Sequence, residues 1–215
     1  MKTFWQRFIA QLTPGSRTLL ALLTAVYLTS SIGGLTHAFD LPAWLAASAP
    51  DFWRGQLWRA VSYALLPNGI LDFLTNGLAL ALLGAQLECQ WTRGRLWRYC
   101  AIATSGAGLT HIFLSSRPMT GAAPMLFGLL VAWALECGHQ PAQFPLFGEM
   151  TVRRVVLIFA VISLAIMFFT AGLARTAVMA AGGFTGGLYL WGRHKWLMSR
   201  SGRAVESSRI NRLEL

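Results

Sequence analysis

Six apolar stretches, separated by short polar or basic segments, occupy most of this 215-residue chain. They run approximately over Arg17–Leu35, Ser62–Leu83, Leu96–Leu114, Pro124–Glu136, Val152–Phe169 and Arg175–Trp191. A helix needs about 20 apolar residues to cross the hydrocarbon core of a bilayer. The pattern therefore predicts an all-α polytopic membrane helix bundle with six transmembrane helices. The fourth stretch is short for a full crossing and is expected to start below the membrane surface. Composition agrees, with 55% hydrophobic and 12% charged residues, against about 25% charged in an ordinary soluble domain. Too little polar surface remains to cover a water-exposed globule. The first 20 residues carry no cleavable signal pattern. The expected division is an N-terminal cytoplasmic segment, residues 1–16, a membrane domain, residues 17–192, and a basic cytoplasmic tail, residues 193–215.

The basic residues are distributed unevenly about these stretches. Lys2, Arg7 and Arg17, then Arg93, Arg95 and Arg98, then Arg153 and Arg154 fall on one side of a six-crossing topology. The tail adds Arg193, Lys195, Arg200, Arg203, Arg209 and Arg212, which places 14 of the 18 basic residues on that side. Only Arg54, Arg59, Arg117 and Arg175 remain opposite. The positive-inside bias puts both termini in the cytoplasm and suits a bacterial cytoplasmic (inner) membrane. It also explains the net charge of +10 by topology and contact with the lipid bilayer, and no basic groove with interleaved aromatics points to nucleic acid. Cys89, Cys100 and Cys137 have neither disulfide nor zinc spacing and read as reduced thiols. Neither a metal nor a cofactor is implied.

The longest connection on the arginine-poor side, about Thr36–Ala60, holds Trp44, Trp53 and Trp58 with Pro42 and Pro50. It reads as interfacial anchoring or as a loop lying partly in the membrane. Asp72 is the most informative charge, because a carboxylate within a span is costly and usually faces a bundle interior or a water-filled cavity. Alternatively it lies wetted at the end of its helix. Glu88 is expected to pair with Arg93, Arg95 or Arg98. Gly182, Gly183, Gly186 and Gly187 form two overlapping G-x-x-x-G pairs. Such residues let helix backbones approach closely in lipid, either within the bundle or across a homodimer.

From about Gly55 to Gly192 the chain resembles the rhomboid family of intramembrane serine proteases. Four segments carry the resemblance, in order: GQLWRAVSYALLP with Trp58-Arg59; LDFLTNGLALALLGAQLE, Leu71–Glu88; MTGAAPMLFGLL, Met119–Leu130; and VMAAGGFTGGLYLWG, Val178–Gly192. They are similar to the family's Trp-Arg loop, its H-x-x-x-N helix, the G-x-S-G helix start and the A-H-x-x-G-x-x-x-G helix. The resemblance implies a serine nucleophile, a histidine base and oxyanion donors drawn from the second, fourth and sixth helices. Here the nucleophile position falls on Ala123 and the following glycine on Pro124, a residue suited to a helix's first turn. The base position falls on Ala180 and the histidine of the oxyanion side on Asp72, with Asn76 retained. Gly121 and Gly128 give the fourth helix a small-residue surface to meet the glycines of the sixth.

An unassisted hydroxyl is a poor nucleophile, so these alanines imply a rhomboid-like pseudoprotease. Such a bundle would bind transmembrane segments of client proteins without cleaving them. The enzymatic alternative is an intramembrane serine endopeptidase with an atypical residue set. His111 with Ser116 is its best pair, and Ser115 and Thr120 are further hydroxyls nearby. A third reading is a small channel or transporter centred on Asp72.

Overall fold

The computed structural model describes residues 13–36, 40–144 and 148–213. Lys2, Arg7 and the remainder of the first 12 residues lie outside them, as do His37–Phe39. The backbone is helical almost throughout. Helix α1 (Pro14–Thr36) leads into three short helices, α2 (Leu41–Leu45), α3 (Ala49–Trp53) and α4 (Arg59–Ser62), and a 3-10 turn over Tyr63–Leu65. Then follow α5 (Ile70–Glu88), α6 (Arg93–Leu114) and α7 (Ala123–Glu136). A hairpin of β1 (Pro141–Phe144) and antiparallel β2 (Gly148–Thr151) precedes the last helical run, Val152–Leu213. That run is two helices, α8 (residues 152–171) and α9 (residues 173–213). Gly172, at φ 81° and ψ 176°, breaks it in a region open essentially to glycine alone.

The second apolar stretch does not begin where its hydropathy does. Pro67 cannot donate a helical hydrogen bond and Gly69 takes φ 136°, so Tyr63–Leu65 forms a separate turn and α5 starts at Ile70. Asp72 consequently lies in the first turn of α5, where a carboxylate is favoured by the unpaired amides and the helix dipole. The cost expected of a charge within a span is thereby avoided. The backbone of α9 continues without a break through Leu213.

The bundle is built by α6 and α7 packing on the α8–α9 pair, with α1 held against α5. Tyr27 and Phe73 stack at 4.5 Å between α1 and α5. Tyr63, Leu87, Leu96, Tyr99 and Leu129 are fully buried between the layers. Outward, α5 exposes Leu71, Leu74, Leu78 and Leu82 along one stripe, and α8 exposes Leu157, Val161, Ile162 and Ile166. A contiguous apolar exterior of this kind is a liability in water and the normal solvent face in lipid. By length and composition, α5 and the stretch Val152–Trp196 are apolar enough to cross a membrane. The fold is a helical membrane bundle.

At the end of the bundle where α1 begins, Glu88 caps the first turn of α1 instead of pairing with arginine. It accepts from the amides of Gly15 (2.7 Å) and Ser16 (2.9 Å) and from the Thr13 hydroxyl. The half-buried carboxylate at the end of one helix thus satisfies the orphan donors of another. Arg95 pairs with Glu136 and lies 4.3 Å over the Trp91 ring.

The opposite end carries a folded lobe made of α2, α3 and α4. Its organiser is Arg59, which is buried. The guanidinium donates to the carbonyls of Ala43 (2.5 Å) and Ala46 (3.1 Å) and to Gln56 Oε1 (2.6 Å), and it pairs with Asp51 at 3.2 Å. Ser62 Oγ adds a bond to the Leu45 carbonyl at 2.8 Å, and Trp58 Nε1 reaches the Trp44 carbonyl at 3.4 Å. A short helix leaves its last carbonyls without partners, and the segment around Trp58-Arg59 supplies them.

Candidate functional site

Just below this lobe, α5, α7 and α9 enclose a cavity of about 440 Å³. Its polar lining comes from Asn68, Asp72, Thr120 and Arg175, and its apolar lining includes Ala123, Pro124, Met167 and Met179. The strand-like segment before α7 is fastened to the lobe by a pair of bonds, Ala47 N to Met119 O and Met119 N to Ala47 O, both 2.9 Å. Gly121 N donates to the Tyr63 carbonyl at 3.1 Å, and Tyr63 Oη donates to the Thr104 carbonyl at 3.0 Å. The lobe, the loop and α6 therefore hold the start of α7 in one place.

Gly121 acts here as a turn residue and not as part of a helix-packing surface. It precedes α7 and takes φ 109°, and a side chain built on it would meet Asn68 Nδ2 at 3.2 Å. Ala123 is the first residue of α7, with Pro124 in its first turn. The Asp72 carboxylate faces this segment with both oxygens engaged. Oδ2 accepts from the Asn68 amide at 2.9 Å and Oδ1 from Asn76 Nδ2 at 2.8 Å. Asn68 closes the clasp to α7, exchanging side-chain bonds with the Thr120 hydroxyl and carbonyl.

Arg175, Val178 and Met179 of α9 line this cavity with Ala123, and Ala180 does not. Ala180 instead lines a separate apolar groove on the flank of α7 and α9 with Phe184, Gly187 and Trp191. Ala180, expected at the base position, therefore does not meet Ala123 across this cavity. The reason is the interhelical contact. A Cβ on Gly182 would fall 2.4 Å from the Pro124 carbonyl oxygen, and one on Gly128 would fall 3.1 Å from the Gly182 carbonyl oxygen. Gly182 is thus the glycine at which α9 comes nearest to the α7 backbone. Gly186 belongs to the same face, with Tyr99 Oη 2.2 Å from where its Cβ would be. That phenol donates to the Gly128 carbonyl at 2.6 Å, tying α6, α7 and α9 at one point. Gly183 abuts the side chains of Phe127 and Val131, and Gly187 has only Val131 at 4.0 Å.

The side chains that line the cavity differ from those the resemblance implies for acyl transfer. No histidine, serine or cysteine lines it, and its one hydroxyl, that of Thr120, is donated to Asn68. An oxyanion site needs donors preorganised toward developing negative charge. Here the Asn76 amide is directed at a carboxylate, and that carboxylate would oppose an oxyanion. No hydrogen bond joins the His111 and Ser116 side chains among the described residues. His111 Nε2 donates to the Arg117 carbonyl at 2.7 Å, so that nitrogen carries its proton and cannot accept one from a serine. Ser115 Oγ accepts from the Arg117 amide at 3.2 Å, and Ser116 is exposed and lines neither His111's cavity nor that of Ala123.

Of the residues that shape the site, Asn68, Tyr99, Met179 and Arg175 escape a motif-based reading. Asn68 has a local signal in the Pro67-Asn68-Gly69 turn sequence. The others are set by which residues neighbouring helices turn toward each other. No curated protein matches the chain. A family model described as the Rhomboid domain matches residues 54–195, well over half of the chain. That match spans the buried Arg59, the Asp72–Asn76 helix and the crossing of α7 with α9, and the chain belongs to the rhomboid family.

Proposed function

We propose that this rhomboid-family protein is a pseudoprotease, which binds transmembrane segments of client proteins in its bundle and does not hydrolyse them. The observation that carries the reading is the composition of the cavity under the lobe. Ala123 stands at the nucleophile position and Asp72 occupies the Asn76 amide. The reading takes Gly182 as the motif's first glycine, which moves the base position, three residues earlier, from Ala180 to Met179, a residue that lines the cavity. Methionine and alanine have no group that accepts a proton at neutral pH, so neither of these positions activates water or a hydroxyl. The side-chain clasp of Asn68, Asp72 and Thr120 keeps the scaffold ordered without the catalytic pair. The reading includes six crossings with both termini in the cytoplasm, supported by the arginine distribution and by the bend at Gly172 that divides the last apolar stretch into two arms.

The test uses the purified protein in proteoliposomes with a panel of single-span substrates and a serine-directed fluorophosphonate probe. The expected result is neither cleavage nor labelling above empty vesicles. Photo-crosslinking from a probe at Met179 should capture some of the same spans intact. Cleavage abolished by Ser116→Ala or His111→Ala would remove the proposal. A green fluorescent protein fused to the C-terminus reads the topology, since it fluoresces only on the cytoplasmic side.

A further inference from the structure

Arginine is scarce at the lobe end of the bundle, and its placement there is uneven. Arg54 and Arg59 both pair with Asp51, at 3.4 and 3.2 Å. Arg117 and Arg175 make no ion pair among the described residues, yet both line one cavity of about 450 Å³. That cavity lies between the end of α6 and the bend joining α8 to α9. It shares Pro118 and Arg175 with the cavity under the lobe. Its position is built and not incidental, because Arg117 is clamped from both sides by α6. His111 Nε2 holds its carbonyl at 2.7 Å and Ser115 Oγ its amide at 3.2 Å. His111, buried where no catalytic partner reaches it, thereby acquires a positioning role.

Two arginines lining one cavity with no carboxylate in its lining offer a receptor for an anion, and their forked donors suit phosphate oxygens. The surroundings specify what carries that phosphate. Phe113 and Leu114, at the end of α6, and Phe169 and Leu173, beside the bend, are exposed. A charged niche flanked by exposed apolar side chains fits an amphiphile, with its headgroup on the arginines and its acyl chains against the rings. We infer that Arg117 and Arg175 bind the phosphate of an anionic phospholipid at the lobe side of the membrane, beside the client cavity. The site does not depend on whether the bundle cleaves peptide bonds.

Delipidated protein in a neutral detergent, titrated with phosphatidylglycerol and followed by native mass spectrometry, tests this. The wild type should hold one lipid ahead of all others, and phosphatidylcholine, whose ammonium group opposes the arginines, should bind more weakly. Arg117→Gln with Arg175→Gln should weaken that first binding on the order of tenfold or more, since charge-assisted bonds to phosphate are lost. Arg153→Gln with Arg154→Gln removes the same charge at the other end of the bundle and should leave it unchanged. Equal binding by wild type and the Arg117/Arg175 variant, or equal weakening by both double variants, overturns the proposal. Displacement of the lipid by millimolar inorganic phosphate makes the free anion the occupant and overturns the lipid assignment. Unchanged elution and thermal stability of the Arg117/Arg175 variant tie a loss of binding to the site.

Discussion

On one face of α9, Gly182 lies so close to α7 that its missing Cβ would sit 2.4 Å from the Pro124 carbonyl oxygen. One residue further round, on the face of Ala180, Gly183 and Gly187, the helix opens onto an apolar groove toward lipid. The two faces carry the same residue types at the same spacing. In lipid, where helices gain little from hiding apolar area, close backbone approach and interhelical hydrogen bonds hold a bundle together. A small residue is therefore indispensable only where a backbone or an immovable side chain stands opposite it. The first face holds the fold together, and the second, packed on Phe127 and Val131 at Gly183, is open at Gly187.

Substitutions can break this contrast in graded steps. Gly182→Val has the largest expected effect. Its side chain meets main chain that cannot move aside, and loss of the folded bundle is expected, with destabilisation of about 3 kcal/mol or more. Thermal unfolding in mild detergent reads it. Gly128→Ala places a methyl 3.0 Å from Ala103 Cβ and 3.1 Å from the Gly182 carbonyl oxygen. A loss of about 1–3 kcal/mol is expected in the same assay. Tyr99→Phe leaves the packing and removes the 2.6 Å bond to the Gly128 carbonyl. Its cost should be about 1 kcal/mol, in the range of single hydrogen bonds between membrane helices. Gly187→Ala is the smallest, with Val131 at 4.0 Å as its only neighbour; stability should hold or rise by up to about 1 kcal/mol through helix propensity. Any homodimer built on the glycine motif must use this second face. Gly187→Leu should then abolish crosslinked dimers while the monomer melts as before. Dimers that survive it would show that self-association uses another surface.

Much of the scaffold is legible in the order of residues. Apolar length marks each helix, and the prolines at Pro14 and Pro124 lie at the starts of α1 and α7. The start of α5 is misplaced by hydropathy alone, because Ser62–Leu66 is apolar for a different reason: Tyr63 and Ala64 are buried beneath the lobe. The hairpin of β1 and β2 has no signal in helix-length apolar runs. Glu88 shows the limit of pairing charges by proximity in sequence. Three arginines follow it within ten residues, yet it serves the free amides of α1, more than 70 residues earlier.

The amino-acid order alone determines that the chain is a membrane bundle, because too few charges exist to coat anything else, and that the helix start at Gly121-Ala122-Ala123-Pro124 carries no nucleophile. It leaves the two glycine registers equal, since Gly182 with Gly186 and Gly183 with Gly187 have identical spacing. Only the tertiary structure decides between them. Successive residues on a helix point about 100° apart, so one residue's difference separates Met179 in the cavity from Ala180 on the outer flank. The distance between two backbones, which no single sequence position encodes, selects the register.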